Sequence, residues 1–316
     1  MSVAKPDANA VRVLLAGSTL TFGIPAYNEG DGVIPTFVSL WEGLVQLGVT
    51  EAQIILSDSS DIAGRSSAEY ATEWADSVGA RLMVDSVDRR RSLKEALNAT
   101  FECARSDLLV LLNGDVKIPA ASLRAMLYGL LASPRPVVAI GATLPDPAFS
   151  TFDRRAGAWQ LRAATRSARL SPRSIAPDSF RAEGAFWGVW RNFYSTYRYP
   201  IGDGSIADDV ELTEALIKGG YACRSVPDAF VYKVPPNSVV DLCLGLVRGQ
   251  VALAEHNRRG NDYLAAVIEA ARDPLGAFLY GLARIWCRRN RRRLREESVS
   301  EWWRMLGSTK RTRSDG

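Results

Sequence analysis

The chain has 316 residues, with 39 lysines and arginines against 35 acidic residues, a net charge of +4, one histidine and four cysteines. With 47% apolar residues it can build a substantial core, which excludes disordered and fibrous classes. His256 stands alone, so zinc sites with two or three histidines are excluded and any Ser-His-Asp triad would have to run through it.

Val11 to Ala16 is a short apolar patch without a secretory pattern. Short β-rich runs then alternate with helical patterns, the mark of a parallel sheet wrapped by helices. The strands read as Thr19–Ile24, Gln53–Leu56, Arg81–Val84, Leu108–Leu112 and Val137–Ile140. Between them Val33–Leu47 places Val33, Phe37, Leu40, Trp41, Leu44 and Leu47 at helical spacing, and Ser66–Ser77, Leu93–Ala104 and Ala120–Leu131 read as helices for similar reasons. After Pro145 scattered Arg, Ser and Pro mark an insertion at about 150–180, with a moderate helical pattern over Ala156–Leu170. A compact segment resumes at Phe180 and passes a glycine-rich loop at Gly202–Gly204. It enters an amphipathic helix over Asp208–Gly219, and a strand over Ala222–Tyr232 ends at Pro235-Pro236.

The last 80 residues read as helices over Val239–His256, Tyr263–Ala271 and Pro274–Arg295. No stretch approaches the roughly 18 uninterrupted apolar residues of a spanning helix, so the expectation is a cytoplasmic protein, soluble or peripheral on a membrane. Cys103, Cys223, Cys243 and Cys287 are too far apart for a Cys-x-x-Cys clamp or a disulfide framework, and read as small buried apolar side chains in a reducing compartment. From Arg284 to Gly316 there are 11 basic and 4 acidic residues, a net +7, leaving −3 for residues 1–283. Pro274–Trp286 with its arginine run reads either as a helix lying on an anionic bilayer or as one packed on the domain with a solvated basic end. Nucleic-acid binding is not expected, because the run lacks interleaved aromatics.

In a doubly wound sheet ligands bind beyond the carboxyl ends of the strands. Three polar loops fall there: Pro25-Ala26-Tyr27-Asn28-Glu29, Ser57-Asp58-Ser59-Ser60-Asp61 and Asn113-Gly114-Asp115. Taken singly, each is as well explained by a turn or a helix cap. Together they suit a nucleotide: Tyr27 offers a stacking face, Asn28 or Glu29 can reach a ribose hydroxyl, Asp58 can accept from a base N–H, and Asp115 can hold a divalent cation on two phosphates. Arg89-Arg90-Arg91 with Lys94 either adds positive charge near those phosphates or is a solvated helix start. Asp208-Asp209 opens a helix, where a carboxylate can cap, act as a general base, or divide the two tasks.

The ordered series GIPAYNEG, ILSDSSD, ALNA, LLVLLNGD, EGAFWGVWR, DDVELTEALIKGGY and VPDAFVYKVPP resembles a family-2 glycosyltransferase of the GT-A fold over roughly Leu20–Gln250. The resemblance implies an α/β domain over residues 1–238 with a mostly parallel sheet, followed by a helical basic extension over 239–316. It implies inverting transfer of a sugar from a nucleotide donor, commonly UDP-linked, with Mn2+ or Mg2+ at the diphosphate and a glycan, lipid-linked or small-molecule acceptor. Pro25, Tyr27, Glu29 and Asp58 would form the nucleoside pocket, with Arg91 and Asn113 near the nucleotide. Asp115 would match the last acid of the family's Asp-x-Asp motif, whose first acid is Asn113 here. Glu183, Gly184 and Trp187 would lie on the acceptor side, and Asp209 would match the catalytic base beside Asp208. Arg248 resembles the arginine of a Gln-x-x-Arg-Trp motif in which Gly245 and Gly249 replace Gln and Trp, and Lys233 stands where many relatives have a metal-binding histidine. The competing expectations are a catalytically silent nucleotide-binding or scaffold protein, and nucleotidyl transfer to a sugar phosphate. The second lacks the Gly-rich, Arg/Lys-bearing loop after the first strand.

Overall fold

The computed structural model describes residues 7–60, 64–87, 91–132, 137–149, 151–170, 185–201, 208–236, 238, 242–243 and 262–290. The chain divides into two compact units, one of Met1–Ala142, Arg173–Gly204 and Asp208–Val231, the other of Thr143–Pro172, Ser205–Ala207 and Tyr232–Gly316.

The first unit is organised by strands β1 (Leu20–Ala26), β2 (Gln53–Asp58), β3 (Leu82–Ser86) and β4 (Leu108–Leu112). All three pairings among them are parallel: β1 with β2, β1 with β4, and β2 with β3. Beyond β4 lie β7 (Phe186–Trp190) and β6 (Val137–Pro145), and β7 runs antiparallel to both, with Leu111 opposite Trp187 and Ile140 opposite Trp187. The order is β3-β2-β1-β4-β7-β6-β8-β5, with β5 at Val116–Lys117 and β8 at Ala222–Lys233; the last residues of β6 and β8 belong to the second unit.

Period-two alternation divides the apolar strand residues between two cores. Phe22, Ile24, Leu108, Val110, Leu112 and Phe186 join one, which is closed by helices α1 (Ala8–Leu15), α2 (Ile34–Leu47), α3 (Ser67–Val78) and α5 (Ala120–Leu131). Ile55, Leu109, Leu111, Trp187 and Val189 join the other, beneath α4 (Leu93–Cys103), α7 (Arg191–Tyr194) and α8 (Asp208–Lys218). Gly23 lets α4 come close, since a Cβ there would stand 2.4 Å from the Thr100 methyl. Ser66 and Ser92 open α3 and α4 with capping boxes that use Glu69 and Glu95, each pair answering two otherwise orphan backbone N–H groups.

Besides the short helix α7, three elements were not foreseen. The patch at Val11 is part of an amphipathic helix, α1, which buries Val11 and Leu15. The aromatic stretch after residue 185 is a strand, and Val116–Lys117 is a short one.

In the second unit, α6 (Arg155–Leu170) packs on α9 (Asp262–Arg272) and α10 (Pro274–Arg289). Much of the segment read as an insertion is therefore a regular helix, whose Ala156 and Trp159 are buried. Ala156, Leu242, Cys243, Ala283 and Cys287 form this unit's apolar cluster. Burial pushes the Cys243 thiol up to about 12, with the neighbouring Cys287 adding to the shift. Asp273 caps α10 by accepting from the Gly276 N–H at 2.9 Å, ahead of Pro274 in the first turn. Among the described residues no helix is long and apolar enough to cross a membrane.

Candidate nucleotide site

Because β1, β2 and β4 are parallel neighbours, the loops that follow them leave from the same edge of the sheet. The first and third loops touch: a Cβ on Gly114 would stand 3.3 Å from the Pro25 carbonyl and from Glu29 Cγ, so any larger residue there would push the two loops a few tenths of an ångström apart. Asn28, with φ +55°, is the one described non-glycine residue in the left-handed region, a conformation that asparagine tolerates better than most. Its backbone N–H donates to the Ser60 hydroxyl at 3.0 Å, which ties the first loop to the second, and the Gly30 N–H donates to the Ser67 hydroxyl at 3.1 Å. Pro25, Tyr27 and Glu29 are half-buried in this loop.

Asp58 is fully buried at the end of β2. One carboxylate oxygen accepts from the Ser60 N–H (3.1 Å) and hydroxyl (2.6 Å), and the other accepts from the Ala68 N–H at the start of α3 (2.9 Å). The carboxylate thus braces a turn and a helix N-terminus; the oxygen shared by the two Ser60 donors is fully used, and the one facing Ala68 retains a lone pair for a further donor. Arg91 directs its guanidinium inward, to the Asp85 carboxylate (2.7 Å) and the backbone carbonyls of Asp85 (3.1 Å) and Asp58 (3.3 Å). Its role in the structure is to hold the end of β2. Lys94 is likewise engaged, donating to Glu211 of α8 at 2.5 Å.

The Asn113-Gly114-Asp115 loop is held by a residue that motif reading missed. Thr36, fully buried on α2, places its hydroxyl 2.9 Å from the Gly114 carbonyl and 2.6 Å from the Val116 carbonyl, and accepts from the Val116 N–H at 3.1 Å. A signal was present: Thr36 lies four residues before Leu40 on the apolar stripe, where a hydroxyl needs a buried partner. The Asn113 N–H donates to the Ala185 carbonyl at 3.2 Å, joining the end of β4 to β7.

Asn113 and Asp115 are half-buried, and Asp115 contributes a single carboxylate. Among the described residues no group of three or more His, Cys, Asp or Glu could hold a metal ion. That donor set fits an ion shared with a diphosphate, whose oxygens complete the shell, and does not fit a cage made by protein alone.

Trp187 is a core side chain, edge-on to Phe101 with ring centroids 6.4 Å apart. Lys233 ends β8 in the second unit, where its carbonyl accepts from the Asp146 N–H at 2.8 Å. At Asp208 and Asp209 the backbone is described, and it opens α8. Glu183, Gly184 and Arg248 lie outside the described residues.

Comparison with known proteins agrees with this architecture. Residues 21–197 match the sequence model of Glycosyl transferase family 2. A search of curated proteins finds no match. Among solved structures, the mannosyltransferase PcManGT from Pyrobaculum calidifontis, in complex with GDP-Man and Mn2+, is 15% identical with a TM-score of 0.53, covering 93% of this chain and 85% of that one. Glucosyl-3-phosphoglycerate synthase from Mycobacterium tuberculosis, in complex with phosphoglyceric acid, is 18% identical with a TM-score of 0.52, covering 82% and 87%. The same enzyme with Mn2+, UDP-Glc and phosphoglyceric acid gives 18% and 0.50, covering 82% and 87%. The fold is GT-A, and with more than half its length matched the chain belongs to glycosyl transferase family 2.

Proposed function

We propose that this glycosyltransferase moves a sugar from a nucleoside-diphosphate donor, UDP-linked in the first instance, to an acceptor hydroxyl with inversion at the anomeric carbon. The observation that carries the reading is the joining of three polar loops at one sheet edge, with Gly114 against Pro25 and Glu29 and with Asn28 bonded to Ser60. Family membership and the nucleotide sugars in the structures of PcManGT and the phosphoglycerate enzyme support it.

In this reading Tyr27 stacks on the base, Asp58 accepts from it through the lone pair left on the oxygen that faces Ala68, and Glu29 meets the ribose. Asp115 faces the diphosphate, where a bound divalent cation would supply positive charge to the departing group. Asp209 takes the proton from the acceptor hydroxyl as the carbon–oxygen bond forms and the donor's glycosidic oxygen leaves with the nucleoside diphosphate. Lys233 and Arg248 are assigned to the diphosphate, Glu183 and Gly184 to the acceptor, and residues 239–316 to a basic helical extension that rests on an anionic membrane.

The test is Asp209→Asn, which should retain nucleotide-sugar binding and lose at least about a hundredfold in turnover. Near-wild-type turnover would remove Asp209 from the role. A second reading, a catalytically silent nucleotide-binding or scaffold protein, is favoured by Asn113 in place of an acid. Slow hydrolysis of UDP- and GDP-sugars without acceptor separates the two, because a silent protein releases no sugar.

A further inference from the structure

The second unit contains an arginine cluster that sugar transfer does not use. Arg155, Arg162 and Arg166 are spaced by seven and four residues on α6, which places them within about 40° of one another around the helix. They meet two acids from the junction of α9 and α10. Arg155 Nε and Arg162 Nη2 donate to the two oxygens of Asp273 at 2.8 and 2.6 Å, and Arg166 Nε donates to Glu269 at 2.5 Å. Arg162 Nε lies 3.4 Å from the other Glu269 oxygen.

The carboxylates sit deep and the guanidinium groups sit at the opening: Glu269 and Asp273 side chains are 3% and 13% exposed, while Arg155, Arg162 and Arg166 are 43%, 32% and 25% exposed. Burial works against ionisation of Asp273, but the hydrogen bonds from Arg155 and Gly276 and the charges of Arg155 and Arg162 outweigh it and hold its pKa below the usual carboxylate range. These groups line a cleft of about 420 Å³, to which Leu144, Thr165 and Arg272 also contribute. Arg272 is exposed and forms no ion pair among the described residues.

Two acids balance two of the four arginines, so the described lining residues retain a charge of +2. A network serving helix packing alone would be nearer neutral, since surplus like charges repel within the short reach of a shared cleft. Each guanidinium has five N–H donors in a fork, and the bonds to Asp273 and Glu269 engage only some of them. A surplus of two charges with planar, forked donors matches a phosphate dianion, and the volume exceeds that of the bare ion, leaving room for whatever the phosphate is attached to.

We propose that this cleft binds a phosphate-bearing ligand, with Arg155, Arg162, Arg166 and Arg272 as the recognising groups. The cleft's lining residues all belong to the second unit and the nucleotide loops to the first, and the proposal stands whether or not sugar transfer is confirmed. The phosphate can come from a soluble phosphorylated molecule or from a lipid headgroup.

Two binding arms on the full chain separate these sources. In the first, inorganic phosphate is titrated calorimetrically at ionic strength held constant with chloride. In the second, the protein is sedimented with phosphatidylcholine vesicles with and without 20% phosphatidic acid. Arg272→Gln keeps the fold, because that side chain is exposed and forms no ion pair among the described residues, and UDP titration serves as the control for the other unit. If free phosphate binds and R272Q weakens it about fivefold or more while UDP binding is unchanged, the site takes a soluble phosphate. If only phosphatidic acid vesicles retain the protein and R272Q releases it, the site takes a headgroup. If wild type binds neither probe, or R272Q binds both as wild type does, the proposal is overturned.

Discussion

Thr36 and Val116 exchange two hydrogen bonds: the Thr36 hydroxyl donates to the Val116 carbonyl at 2.6 Å and accepts from the Val116 N–H at 3.1 Å. The same hydroxyl stands 2.9 Å from the Gly114 carbonyl, and because it has one proton the two carbonyls share it. Helix α2 is thereby fastened on both sides of Asp115. Thr36→Val keeps the shape and removes every one of these bonds in a fully buried place, which should destabilise the protein by about 1–3 kcal/mol. It should also weaken UDP binding, since the loop bearing Asp115 loses its brace, whereas Thr36→Ser should keep most of both. Urea unfolding and UDP titration of the two variants check this.

Lys94 of α4 and Glu211 of α8 form an ion pair at 2.5 Å between side chains only 8% and 17% exposed. Glu211 lies in the first turn of the helix that begins at Asp208, and its second oxygen is buried without a partner among the described residues. The pair is thus a positioning device for the start of α8. Lys94→Met would strand a largely buried carboxylate, at a cost that for fully buried pairs reaches about 3–5 kcal/mol. Glu211→Gln, which keeps a hydrogen-bonding oxygen, is the milder probe. It should lower kcat several-fold and leave the donor KM nearly unchanged, as steady-state kinetics can read; a purely structural pair would lower the melting temperature without that split.

The strands were legible because their residues are apolar on both sides, and Leu108–Leu112 and the helix Ala120–Leu131 match to the residue. The capped helices were legible from apolar spacing, and a second signal stood beside it unused, since Ser66 and Ser92 each precede a glutamate by three positions. What could not be read was the use made of side chains by distant partners. Asp58 offers a sequence reader a free carboxylate, yet it meets Ala68 and Ser60. Arg91 reads in the sequence either as charge near the phosphates or as part of a solvated helix start, and neither reading foresees its bonds to Asp85 and the Asp58 carbonyl. The resemblance alone places Trp187 on the acceptor side, and its sequence neighbourhood does not reveal that a strand there turns alternate residues into opposite cores. The arginines of α6 carried no motif, and their acids arrive more than 100 residues later.

Asp107 introduces a pH dependence. Its carboxylate accepts from the Thr19 N–H and hydroxyl, both at 2.8 Å, and these bonds hold its pKa below the ordinary carboxylate value. A depressed pKa means that the unfolded chain binds the proton more readily, so the contribution is complete above the unfolded value of about 3.9 and is lost as pH falls through the folded one. Asp107→Asn should therefore melt lower than wild type at pH 7, and the difference should shrink to nothing in strongly acidic buffer. Melting temperatures of both proteins from pH 7 to pH 2.5 check it; a constant difference across the range would show that the carboxylate's charge is not the cause.

Helix α10 presents the strongest argument for a surface partner. Leu275, Phe278, Leu282, Ile285 and Trp286 are all exposed, Phe278 by 61%, and at helical spacing they occupy one stripe about 100° wide. Ala283 and Cys287 face the unit's own core from another side of the helix. A continuous exposed apolar stripe is uncommon on an isolated surface, and the only charged residues on α10 are Arg284, Arg288 and Arg289. Like-charged helices repel, so pairing of two copies through this stripe is less favourable than contact with an anionic bilayer, where the apolar side chains insert and the guanidinium groups meet phosphates. The protein should co-sediment with vesicles containing phosphatidylglycerol and detach as salt is raised. Phe278→Glu with Ile285→Glu should abolish that retention without lowering the melting temperature, because both side chains are largely outside the fold; retention by the double variant would mean that the stripe does not meet the lipid.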